Sequence, residues 1–167
     1  MQTGEAAWRR DVTQVPGAAS GIFEQKIYKY KKRGKRMFTK LTEQLKANPR
    51  TIVFTEGTDA RILDAAAKLT AENVLNVILL GAEDEVNAAA KEAGYDIAKC
   101  QIVDPEKYAD IDAMVDEMVA LRKGKMTADE VRAALAKSNY FGTMLVKMGK
   151  ADCLLGGATY STADTVR

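Results

Sequence analysis

TIVFTEGTDARILDAAAKL, Thr51–Leu69, changes its period halfway along. Its first five residues, Thr51–Thr55, are a short β-branched run that reads as a buried strand ending at Glu56-Gly57. Its second half puts Ile62, Leu63, Ala66 and Leu69 on one face of a helix, which Thr58 or Asp59 caps. A strand, a glycine-bearing turn and a helix N-terminus in succession make the first half of a βαβ unit.

The same alternation continues downstream. NVILLG, Asn76–Gly81, reads as a second strand, and Asp84–Ala93 as an Ala-rich helix closed by Gly94. QIVDP, Gln101–Pro105, reads as a third strand. Ile111, Met114, Val115, Met118 and Leu121 mark a long amphipathic helix running to about Lys123. Thr127 and Glu130 have capping-box spacing and open a short helix to Ala136. Asn139–Met148 reads as a further helix with Gly149 at its C-cap, and ADCLLGG, Ala151–Gly157, as a fourth strand. Upstream, FTKLTEQLKA, Phe38–Ala47, has helical spacing and is stopped by Pro49. Strands separated by helices specify an α/β fold: a mostly parallel sheet with helices on both faces. No internal repeat is present.

Composition narrows the function. The chain has 167 residues, 47% of them hydrophobic and 29% charged, the balance of a soluble globular protein. No apolar run approaches the roughly 20 residues of a membrane span, and the first residues show no secretory signal. Cys100 and Cys153 sit in apolar stretches and read as buried reduced thiols of a cytoplasmic protein, a disulfide between them being the alternative. Histidine is absent, which removes Ser-His and Cys-His nucleophiles and any His-ligated metal.

The net charge of +2 is unevenly spread. Residues 1–36 carry nine Lys/Arg against three Asp/Glu, and residues 37–167 carry sixteen against twenty. Residues 1–20 have no period and read as disordered. KIYKYKKRGKR, Lys26–Arg36, reads either as a nucleic-acid or anionic-membrane patch, or as a solvated tail or translated sequence upstream of a true start at Met37. The second reading is preferred, because everything after residue 36 is net acidic.

In an open α/β sheet, ligands bind beyond the carboxyl ends of the strands. Those ends read Thr55-Glu56-Gly57-Thr58-Asp59, Gly81, Asp104 and Gly156-Gly157. The chain closes on GGATYSTADTVR, Gly156–Arg167, whose backbone N–H groups, hydroxyls and guanidinium are the parts of an anion site. Asp164 reads as the cap of a final helix, and Asp152, before the fourth strand, belongs at the opposite end of the sheet. Neither GxxxxGK[ST] nor GxGxxG follows a strand, and no metal-ligand cluster is spaced in the sequence. Taken alone, Arg61 would pair with Asp64, and Arg122 would complement the dipole of its helix.

Taken together, the residues from Met37 onward resemble the N-terminal part of the phosphate acetyltransferase (phosphotransacetylase) family. TIVFTEGTDARILDAAAKL, NVILLG, IVDPEKY, ALRKGKMTADEVRAAL, NYFGTMLVKMGKAD and STADTVR occur in the family's order and spacing, over roughly four fifths of the chain. The resemblance implies acyl transfer, acetyl-CoA + phosphate ⇌ acetyl phosphate + CoA, by direct attack of the CoA thiolate in a ternary complex. It implies no cofactor and no metal, coenzyme A being a substrate. Two α/β domains with the active site between them, paired as a homodimer, are also implied. Arg61, Arg122 and Arg167 match family arginines that bind CoA or substrate, and Ser161 and Thr162 match hydroxyls of the phosphate-side loop.

Two departures from the family matter. Tyr160 stands where the family commonly has histidine, and it cannot relay a proton at neutral pH as histidine does. The family's catalytic aspartate, with its neighbouring serine and arginine, belongs to a C-terminal half beyond Arg167, so no catalytic residue is assigned here. The expectation is therefore residues 1–36 as a basic extension and 37–167 as an incomplete first domain, inactive alone. Alternatives are a phosphate- or CoA-binding module without catalysis, a butyryl-transferring relative, and a nucleic-acid binder through Lys26–Arg36. Limited proteolysis is expected to trim the basic extension and leave a resistant core beginning near Met37. A core beginning at residue 1 contradicts this division.

Overall fold

The computed structural model describes residues 38–161 and Ala163. Two compact units divide the chain, Met1–Thr42 and Glu43–Arg167. In the first, the Thr42 hydroxyl donates to the Phe38 carbonyl at 2.8 Å, within a helix, α1, over residues 38–47. The second holds the sheet. Its elements alternate as read from the sequence: β1 (Thr51–Phe54), α2 (Ala60–Ala71), β2 (Asn76–Leu80), α3 (Glu83–Ala93) and β3 (Gln101–Val103). A single 3₁₀ turn (Pro105–Lys107) leads to α4 (Ile111–Arg122), α5 (Ala128–Leu135), α6 (Ser138–Lys147) and β4 (Cys153–Leu155).

All strand pairs are parallel, in the order β3-β2-β1-β4. β2 shows why Val77–Leu80 is an unbroken hydrophobic run. Val77 and Leu79 face a cluster built with Leu63 and Ala66 of α2 and Val86 and Ala90 of α3. Ile78 and Leu80 face the other, built with Met114 and Met118 of α4, Val131 and Leu135 of α5, and Phe141 and Leu145 of α6. A period of two with both faces covered leaves no polar position. Phe141 also meets Tyr108 edge to face, ring centroids 5.1 Å apart.

Local chemistry sets the boundaries. Asp59, not Thr58, caps α2 by accepting from the Arg61 N–H at 2.9 Å. Thr127 and Glu130 form the reciprocal capping box that opens α5. The third strand stops at Val103, two residues earlier than its sequence suggests. Asp104 turns its carboxylate onto the Glu106 N–H at 3.0 Å and Pro105 starts the 3₁₀ turn, so neither extends the ladder. Both cysteines are free thiols, but they are not both buried as expected. Cys100 is half-buried, and burial pushes its thiol upward; Cys153 lies on the β4 edge and is exposed.

The turn after β1 passes close under β2. The Gly57 N–H donates to the Leu80 carbonyl at 3.1 Å. A Cβ at Gly57 would stand 2.6 Å from that oxygen and 3.2 Å from Val86 Cγ2. Gly57→Ala is thus expected to destabilise the fold by about 1–3 kcal/mol, the usual cost of forcing extra volume into a packed site. A lower urea midpoint at unchanged slope is the signature to look for.

Candidate functional site

The order β3-β2-β1-β4 contains one reversal of direction. From β1 the chain winds outward through β2 to β3, then crosses back to lay β4 on the other side of β1. At such a switch point the loops leaving two neighbouring strands part and open a crevice beyond their carboxyl ends. Here they are the loops after Phe54 and after Leu155. A cleft of about 410 Å³ opens there, lined among others by Glu56, Thr58, Asp59, Glu85, Ser138 and Tyr160.

Pairing brings Glu56 to this crevice. Phe54 lies opposite Leu155, and the Thr55 N–H extends the ladder to the Leu155 carbonyl at 3.3 Å. The next residue, Glu56, is buried and reaches across to the loop after β4. Its Oε2 accepts from the Gly157 N–H at 3.1 Å and the Ala158 N–H at 2.9 Å. Its Oε1 accepts the Thr159 hydroxyl at 2.6 Å and the Thr159 N–H. Gly157 has φ +103°, a conformation open to glycine, and it bends the loop so that successive N–H groups converge on one carboxylate.

Burial pushes the Glu56 carboxyl upward. The hydrogen bonds from Thr159, Ala158 and Gly157 outweigh it and hold the group below its ordinary value. The loop's N–H groups do form an anion nest, as its sequence suggests, but the anion is the chain's own Glu56.

Arg61, exposed on the first turn of α2, completes the arrangement. Its Nε and Nη2 grip Asp59 as a fork, at 3.0 and 2.8 Å, and Nη2 also donates to the Ala158 carbonyl at 3.0 Å. The side-chain hydrogen bonds from Arg61 and its N–H pull Asp59 down to about 2. The local pairing of Arg61 with Asp64 does not occur; Asp64 takes Lys68 at 2.6 Å one turn on. Asp59 wins because, as the helix cap, it already stands beside the Arg61 backbone.

The other expected residues are placed less completely. Arg122 is the last residue of α4 and is exposed; neither it nor Arg61 is among the residues lining this cleft. Ser161 is described and exposed on the loop that follows Glu56's partners. Thr162 and Arg167, with Asp164, lie outside the described residues. Tyr160 turns its hydroxyl toward the Thr55 carbonyl at 3.4 Å. Asp152 sits at the amino end of the sheet, as expected, held by the Thr51 N–H at 2.8 Å and Arg50 at 2.7 Å. Among the described residues no three His, Cys, Asp or Glu side chains are grouped to hold a metal, and no helix is long and apolar enough to cross a membrane.

Known proteins place the chain among one kind of enzyme. The family model described as Phosphate acetyl/butaryl transferase matches residues 36–167. A phosphate acetyltransferase of Bacillus subtilis is 46% identical over 131 residues, covering 78% of this chain and 41% of the relative. The solved structure of a phosphotransacetylase from Streptococcus pyogenes superposes with a TM-score of 0.75 at 43% identity, over 80% of this chain and 40% of that one. For a EutD phosphotransacetylase from Staphylococcus aureus the TM-score is 0.71 at 40% identity, over 76% and 38%. The chain thus spans about two fifths of the length of the relatives it matches.

The carboxylates around the cleft give stability a definite pH dependence. A group held below its ordinary pKa by folding adds stability that is full above that value and fades as pH falls through the folded one. Glu56 and Asp59 both belong to this class. Stability is expected to hold from neutrality to about pH 5 and to fall below it. In urea titrations Glu56→Gln should flatten that acid slope and lower the neutral-pH plateau.

Proposed function

The chain belongs to the Phosphate acetyl/butaryl transferase family, and on that premise we propose that it forms the substrate-binding part of a phosphate acetyltransferase. The reaction is reversible acetyl transfer between coenzyme A and phosphate, with both as substrates and with neither cofactor nor metal. The observation that carries the reading is Arg61, held by Asp59, which lines the switch-point cleft, and by the Ala158 carbonyl. Nη1 of Arg61 has no hydrogen-bond partner among the described residues, so the guanidinium keeps donors for an incoming anion. Acetyl phosphate and CoA are polyanions, and a pre-oriented guanidinium binds phosphoryl oxygens with charge-assisted hydrogen bonds. Ser161, Thr162 and Arg167 follow in the sequence and would add hydroxyl and guanidinium donors. Arg122 would join them from α4.

In the direction that forms acetyl-CoA, the CoA thiolate adds to the acetyl carbonyl carbon of acetyl phosphate. The tetrahedral centre then collapses, breaking the bond to the bridging oxygen, and phosphate leaves with the electron pair. Cationic donors lower the barrier by stabilising the charge that gathers on the departing phosphoryl oxygens. A base must take the thiol proton. In this chain Glu56 and Asp59 are poor candidates for it, because their lone pairs are already committed to hydrogen bonds. The rest of a protein of the relatives' length would supply that base, a second domain and a dimer interface, in the cytoplasm where acetyl-CoA is made and used.

Following acetyl-CoA formation from acetyl phosphate and CoA tests the reading. The 167-residue chain alone is expected to show no turnover above an Arg61→Ala control. In a protein completed to the relatives' length, Arg61→Ala or Arg122→Ala should raise KM for CoA or acetyl phosphate by a factor worth about 1.5–3 kcal/mol. Unchanged kinetics in both variants would return the two arginines to structural roles.

A further inference from the structure

Ala158 is gripped from both sides. Its N–H goes to Glu56, its carbonyl to Arg61, and Arg61 is itself oriented by Asp59. The first loop of the sheet therefore holds the last one through a carboxylate and a guanidinium acting on the same residue. We propose that Glu56 is a positioning residue: its carboxylate fills the Gly157–Thr159 nest as an internal anion and so fixes the loop whose Ala158 carbonyl orients Arg61. This deepens the reading of the cleft as an anion-binding acyl-transfer site and rests on it.

Three features support the assignment. Glu56 is a buried acid whose acceptors are spent on backbone and hydroxyl donors of one loop, with no ion-pair partner within 4 Å among the described residues, as a ligand would be held. The loop lies just over a hundred residues away in sequence, so it has no local means of keeping this shape. Arg61 is oriented in part by the loop's own Ala158 carbonyl, and the Glu56 charge adds to the stabilisation of its cation after Asp59. The remaining charged groups facing the cleft, Asp59 and Glu85, cannot substitute. Asp59 is locked in the Arg61 fork, and Glu85, exposed on the first turn of α3, takes no hydrogen bond from the loop.

Chemical rescue distinguishes positioning from bulk stability. In the 167-residue chain, Glu56→Ala should speed amide hydrogen exchange at residues 157–159 by about tenfold or more, the scale of a lost charge-assisted hydrogen bond, while α2, α3 and α6 stay protected. Added formate, a free carboxylate small enough for the vacated nest, should restore that protection. Sodium chloride at equal ionic strength should not. Glu56→Gln, which still fills the space, should lose protection without responding to formate. Acetyl phosphate affinity, read by calorimetry, should fall and recover in parallel with exchange in Glu56→Ala. Loop amides unprotected in the unmodified chain, or loop protection unchanged in Glu56→Ala, would overturn the proposal. So would a loss spread evenly over all helices or one that formate leaves untouched. Protected, formate-rescued amides in a chain that never binds acetyl phosphate would instead count against the acyl-transfer reading, so the two failures are told apart.

Discussion

A buried carboxylate must find donors, and Glu56 finds them on a loop just over a hundred residues away. That demand shapes the functional end of the sheet. Glu56 can reach the loop because β1 lies directly beside β4, with Phe54 opposite Leu155. Those strands are neighbours because the three helices α4, α5 and α6 carry the chain back across one face before β4 begins. The same crossing creates the switch point, so the carboxylate and the crevice have one topological cause. Removing the donors would leave a charge in a site that water reaches poorly, at a cost far above that of an ordinary lost contact.

Sequence periodicity was sufficient for the architecture, and the reason is physical. A parallel sheet covered on both faces makes each strand a short apolar run and each helix a one-sided stripe, and both are local signals. Asn76–Leu80 and the stripe at Ile62, Leu63 and Ala66 show this directly. Boundaries were legible where a side chain caps its own backbone, as in the Thr127–Glu130 box. Strand ends were less so: Asp104 and Pro105 look like strand residues until the carboxylate is seen on the Glu106 N–H.

The site was legible in its parts but not in its connections. Arg61, the glycine-bearing turns and the donor-rich loop after Leu155 all stand out as residue types suited to anions. What the local reading missed is that two of these stretches satisfy each other. Arg61 appeared free to take Asp64 because i,i+3 spacing favours it, yet the cap residue Asp59 was closer in space. Glu56 drew no notice because one glutamate after a strand has no period and no motif. The usable signal was positional. An acid placed where β1 ends, in a parallel sheet whose last strand ends in two glycines, faces the one backbone able to solvate it.

The charge arithmetic of the cleft then makes sense of an apparent contradiction. Glu56, Asp59 and Glu85 all line a crevice to which two polyanionic substrates are assigned. Formal charge is a poor guide here, because the first two are not free to repel. The Glu56 charge is spread into backbone dipoles pointing at it, and the Asp59 charge into a guanidinium fork that pulls its pKa to about 2. Glu85 is exposed, and its field is screened within about 10 Å at ordinary ionic strength. Asp59 also orients the Arg61 fork, so an anion bound at Nη1, as proposed, would meet a donor already partly in place. The acids of this cleft therefore act as scaffolding for a cation. They fix the orientation of Arg61 and leave its Nη1 without a hydrogen-bond partner among the described residues.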